Sequence, residues 1–161
     1  MAAGVTAWDV LPIALLAPVL VFVALSDLRR MRIPNAASLL MLGLFVLCVP
    51  FVGTGESLLR AAAGAVVFTA FFALFAANLV GGGDAKVLPA LVLFVPSPLW
   101  VIYANLLALS LLVGIAAVLA VQAIPNGGAS AWAVRRNRGA FPMGLSIALS
   151  GLLLPPVALL L

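Results

Sequence analysis

Four carboxylates make up the whole acidic inventory of this chain of 161 residues: Asp9, Asp27, Glu56 and Asp84. Asp9 and Glu56 stand among Trp, Thr and Gly at the edges of apolar runs and read as solvated flanks. The other two are placed differently. Asp27 follows the apolar run ending Val23-Ala24-Leu25-Ser26, and Asp84 closes Gly81-Gly82-Gly83 and opens a further apolar run. Two carboxylates that converge cannot both ionise easily, so they share a proton. One then serves as base toward a water, while the other, protonated, polarises a carbonyl and supports a tetrahedral intermediate. Such a pair titrates as a unit. The chain has no histidine and one cysteine, Cys48. Histidine triads, thiolate metal clusters and an internal disulfide are therefore excluded, and peptide hydrolysis here would fall to the carboxylates. No metal and no cofactor is expected.

Simpler readings stand beside this one. Asp27 can pair with the adjacent arginines, and Asp84 can cap the helix it opens. Gly81 to Gly83 can stop a helix and form a turn. Equally, three bare residues can let an extended peptide approach and pair with the backbone. Spacing alone does not choose between these.

The elements that must position the carboxylates follow from composition. Hydrophobic residues make up 66% of the chain and charged residues 7%, against roughly 25% charged in a soluble domain. So few charges cannot cover a water-facing surface, so the bilayer is the expected solvent. Apolar runs suited to helical spans cover about 10–26, 36–52, 58–79, 85–95, 99–123 and 140–161. The run at 85–95 is short for a span. The expected fold is all-α, a polytopic integral membrane protein of about six transmembrane helices with both termini outside, forming a single domain over 1–161.

Charge placement sets the expected orientation. The loops at 27–35, 80–86 and 124–139 hold Arg29, Arg30, Arg32, Lys86, Arg135, Arg136 and Arg138, and only Arg60 falls on the other side. The positive-inside rule puts those three loops, and with them Asp27 and Asp84, at the cytoplasmic face. The same distribution argues against nucleic acid as the partner of a basic chain. No basic segment precedes the first apolar run, so that run reads as a retained helix and not a cleaved signal.

At these residues the sequence resembles the type IV prepilin peptidases. Ser26-Asp27-Leu28-Arg29-Arg30-Met31-Arg32-Ile33-Pro34-Asn35 matches their first motif, an Asp followed after six residues by Pro-Asn. Gly81-Gly82-Gly83-Asp84-Ala85-Lys86 matches the second, Gly-x-Gly-Asp-x-Lys. Phe141-Pro142-Met143-Gly144-Leu145-Ser146 is similar to the Pro-x-Gly segment that opens the family's last helix, with Met143 where many members carry an aromatic. The resemblance implies an aspartic endopeptidase of the bacterial inner membrane. Such enzymes remove the short basic leader of prepilins and pseudopilins at the cytoplasmic face, commonly after a glycine and just before the pilin's apolar helix. By motif position, Asp27 and Asp84 are implied as catalytic, with Gly81, Gly83, Lys86, Pro34 and Asn35 as supporting residues. Pro34 suits the first turn of the second helix, and Asn35 can satisfy free amides there. Lys86 either tunes the Asp84 charge or holds the helix end at the interface. A region with paired Cys-x-x-Cys motifs, found in larger members, is absent, which points to the short form associated with Flp-type pili without N-methylation. The alternative is a non-catalytic membrane subunit of a pilus or secretion assembly, or a small transporter. Asn78 is a further residue to watch near the second motif.

Overall fold

A computed structural model describes residues 7–123 and 141–160. It contains α1 (Ala7–Leu15), α2 (Ala17–Arg30), α3 (Asn35–Val52), α4 (Thr54–Ala76), α5 (Asp84–Val92), a 3-10 turn (Ser97–Leu99), α6 (Trp100–Ala123) and α7 (Met143–Leu160), with no strand among the described residues. Only helices and closed barrels satisfy every backbone group in lipid, and such apolar runs fold accordingly. The surface is correspondingly inverted. Phe51 is 88% exposed and Leu39 66%, an apolar exterior that water would not tolerate and acyl chains match. The chain is a polytopic helical membrane protein. The segment expected as a loop with Arg135, Arg136 and Arg138, and both chain ends, lie outside the described residues.

Four helices are long and apolar enough to cross a bilayer: α3, α4, α6 with its preceding turn, and α7. The expected first span is a fifth, but it is broken into α1 and α2, which meet at 42°. Pro18 stands in the first turn of α2. It has no N–H to bond back across the joint, which is the ordinary cause of such a bend. The helix then runs past the expected end at Ser26 as far as Arg30. At the other end of the chain, α7 continues through Pro155 and Pro156 to Leu160.

The expected fourth span, 85–95, is the inner helix α5. Its nine residues would be too short to cross about 30 Å of hydrocarbon, yet Val87 through Val95 are buried by protein. Packing against other helices removes the length requirement that lipid would impose. The segment runs alongside α4 for most of that helix: Gly82 meets the Phe75 ring near the end of α4, and Ser97 bonds to Glu56 near its start. Gly64 makes the close approach possible, since a Cβ there would lie 2.7 Å from Leu93 Cδ2 and 3.3 Å from the Pro89 carbonyl. On the other side of the bundle α7 packs against both α2 and α6. Gly151 plays the matching part there, because a Cβ would press on Leu20 and Leu91.

Glu56 is not the solvated flank that its neighbours in sequence suggest. Its carboxylate accepts from Arg60 Nε at 2.9 Å, from the Ser97 amide at 2.7 Å and from Ser97 Oγ at 2.8 Å. Arg60 is 2% exposed. Arg60 is thus half of a buried ion pair pinning the 3-10 turn to α4, and it no longer counts as an exposed charge against the orientation. Glu56→Ala would leave the guanidinium buried without its counter-charge. The expected loss is about 3 kcal/mol, read as a lower unfolding temperature in detergent. Glu56→Gln keeps an acceptor for Ser97 and should lose less.

Candidate active site

At the opposite end of α4 five helix ends converge: the last turn of α2, the first turns of α3, α5 and α7, and the end of α4. Asp27 lies on the last turn of α2 and is 6% exposed. Just beyond it, Met31 takes a left-handed conformation (φ 49°), and its N–H donates to the Asp27 carbonyl at 2.8 Å, closing the helix. Ser26 Oγ donates to the Arg32 carbonyl at 2.8 Å and folds the connection back on itself. That fold lets Ile33 turn toward the site while Arg29, Arg30 and Arg32 stay exposed.

The backbone amides of Gly144 and Leu145, in the first turn of α7, reach the Asp27 carboxylate. Amides in a first helical turn have no acceptor inside their own helix, and this end of a helix favours negative charge. The approach is so close that a Cβ on Gly144 would sit 2.9 Å from Asp27 Oδ2 and 2.6 Å from Ile33 Cδ1. Asp27 Oδ2 is buried and has no hydrogen-bond partner.

Asp84 is the first residue of α5, outside the long apolar helices, and the cap position before it is taken by Gly83. Its Oδ1 is likewise buried and unpartnered. Burial pushes the Asp84 carboxyl up to about 7, and the nearby Asp27 charge pushes in the same direction. The Asp27 charge thus bears on Asp84, and each carboxylate has a buried oxygen with no hydrogen-bond partner among the described residues. Natural structures seldom leave such groups without a functional reason.

The glycines of the second motif serve close approach and not conformational freedom. Among the described glycines only Gly53 has positive φ. A Cβ on Gly81 would stand 2.9 Å from Asp84 Oδ2, and one on Gly83 would stand 3.1 Å from Ile33 Cβ. Ile33 thus touches Gly83 on one side and Gly144 on the other, an apolar wedge between the Asp84 segment and the first turn of α7.

The remaining motif residues link the same elements. Lys86 Nζ donates to Asn35 Oδ1 at 3.0 Å, tying α5 to the start of α3. Asn35 therefore spends its side-chain oxygen on Lys86, not on the free amides of its own helix. Pro34 lies just before α3, where its carbonyl accepts from the Ala37 amide at 3.0 Å. It is extended (ψ 140°), not inside the first turn. Asn78 has φ 59° and ends α4, a left-handed position that Asn tolerates. It is exposed and acts as a helix stop, not as support for Asp84.

Two contributors escape sequence reasoning. Ile33 lies within a basic motif and gave no sign of an inward role except being its only β-branched apolar residue. The Gly144 and Leu145 amides are backbone groups, and only the Pro-x-Gly pattern around Gly144 hinted at them.

The arrangement defines a class: a helical membrane protein with a coupled, part-buried pair of aspartates at one end of its bundle. A model of the type IV leader peptidase family matches residues 14–123, which include both aspartates. The chain belongs to that family, and leader-peptidase-type activity is what membership carries. Neither curated proteins nor solved structures gave a match to this chain.

Proposed function

We propose that this protein is an aspartic endopeptidase that removes the short basic leader of prepilins or pseudopilins at the cytoplasmic face of the inner membrane, with Asp27 and Asp84 as its catalytic pair. The observation that carries the reading is the coupling of two buried, under-satisfied carboxylates within the matched region. Among the described residues amide donors reach Asp27 and not Asp84, so Asp27 holds the ionised form and the shared proton rests on Asp84. A water between them loses a proton to Asp27 as its oxygen attacks the scissile carbonyl carbon. The Asp84 proton passes to the carbonyl oxygen, giving a neutral diol. On collapse, the leaving nitrogen takes the proton from Asp27, and a diol hydroxyl returns one to Asp84. The pair ends as it began, with no metal required.

Orientation rests on charge. Arg29, Arg30, Arg32 and Lys86 are exposed at the end of the bundle that carries the pair, and Arg60 is neutralised within a buried pair. The positive-inside rule then places the pair at the cytoplasm. The wedge, the glycines and the Lys86–Asn35 bond pack the two aspartate segments at one end of the bundle, which supports the peptidase over a passive subunit or a transporter.

The test is leader removal from candidate prepilins by the purified protein in lipid, followed by mass. A precursor that shortens by its leader supports the reading, and intact precursor with every candidate rejects it. The pH profile is a second test. Activity requires one proton on the pair. The Asp84 proton is lost as pH rises through about 7, so kcat/KM should fall on the alkaline side with a midpoint near there. It should fall again in acid, where Asp27 also becomes protonated. A profile flat from pH 5 to 9 contradicts the shared-proton mechanism.

A further inference from the structure

We propose that the groove between α3 and α4, floored by α5, receives the apolar helix of the substrate immediately beyond the scissile bond. This rests on the peptidase reading above and adds the place where the membrane-embedded part of the substrate lies. The groove has a volume of about 690 Å³ and is lined chiefly by Leu39, Leu42, Ala65, Phe68, Pro89 and Leu93. Leu39 and Phe68 are exposed, so it opens sideways to lipid, and a membrane helix can enter without crossing a polar barrier. Its polar members are Asn35, Ser38 and Lys86, with the bonded Asn35–Lys86 pair at the end nearest Asp84.

Continuity with the candidate active site selects the occupant. Lys86 lies two residues beyond Asp84 on the same helix, and α5 floors the groove for about 10 Å from there to Leu93. A chain cut beside Asp84 therefore finds an apolar bed of about two turns directly along its course. Apolar anchors at helical spacing are how a helix seats in such a groove. A second cavity, of about 610 Å³, lies between α4 and α6 and is lined by Val67, Tyr103 and Leu107 among others. Leu88 and Val92 of α5 also line it, but it includes no residue of either aspartate motif.

The experiment uses the full chain with Cys48→Ala and Asp84→Asn, so that substrate is bound but not released. Leu42→Cys or Ala65→Cys is placed in the groove, and Leu107→Cys in the other cavity. Each is oxidised in lipid with a prepilin carrying a single cysteine stepped along its apolar helix. Disulfides are expected from both groove positions, recurring every three to four substrate residues as one helical face contacts the bed. None is expected from Leu107→Cys. Cross-links from Leu107→Cys in their place overturn the proposal. So does a groove that retains lipid and yields no cross-link. Leader removal by the wild-type chain is measured alongside. Removal without groove cross-links rejects the groove alone, whereas no removal rejects the peptidase reading and the groove with it.

Discussion

Asp84→Asn is expected to lower leader removal by about a thousandfold or more, and Asp27→Asn by a similar factor, because the first takes away the proton given to the carbonyl oxygen and the second the base that receives the proton of the water. The effects should not multiply in the double variant, since the pair acts as a unit. Thermal stability separates loss of chemistry from loss of fold. The Asp84 carboxyl, at about 7 in the folded chain against an ordinary 3.8, binds more protons folded than unfolded between those values. Stability therefore falls as pH rises through that window and stays lowered above it. Asn does not titrate and escapes the penalty. Asp84→Asn should accordingly unfold at a higher temperature than wild type at pH 8, with the difference shrinking toward pH 4. A helix cap would behave oppositely, since its removal costs stability at neutral pH. A variant both inactive and less stable at pH 8 would return Asp84 to a structural role.

That test matters because sequence alone left the cap and the dyad side by side. Membrane embedding and the long helices were legible, since 66% hydrophobic content and the length of each run are properties of single segments. The course of α5 was not. A run of nine helical residues fails any length rule for a span, and only the surrounding helices show why it need not meet one. Glu56 was misjudged for a related reason. Its partner Arg60 is four residues away, but Ser97, which buries the pair against the turn, is 41 away. The aspartates themselves were legible by motif. The packing around them was not, because Ile33 and Gly144 meet at distances that no local pattern encodes.

Gly144→Ala provides the sharpest test of that geometry, with an expected loss of activity of about a hundredfold from a single methyl group. The added Cβ would lie 2.6 Å from Ile33 Cδ1 and 2.9 Å from Asp27 Oδ2, so one or both must move. Overpacking of this kind costs about 1–3 kcal/mol, and a shift of about 1 Å in a reacting group can cost a hundredfold in rate. The two clashes can be separated. Ile33→Val removes Cδ1, the nearer of the two contacts. In the double variant the packing conflict with the wedge is relieved, while the conflict with the Asp27 carboxylate and its α7 amides remains. Melting temperature should therefore recover toward wild type while leader removal stays low. Full recovery of both would mean that Gly144 serves only the packing of Ile33, and that the α7 amides have no part in holding the Asp27 charge. Recovery of stability alone locates the function of that glycine at the carboxylate.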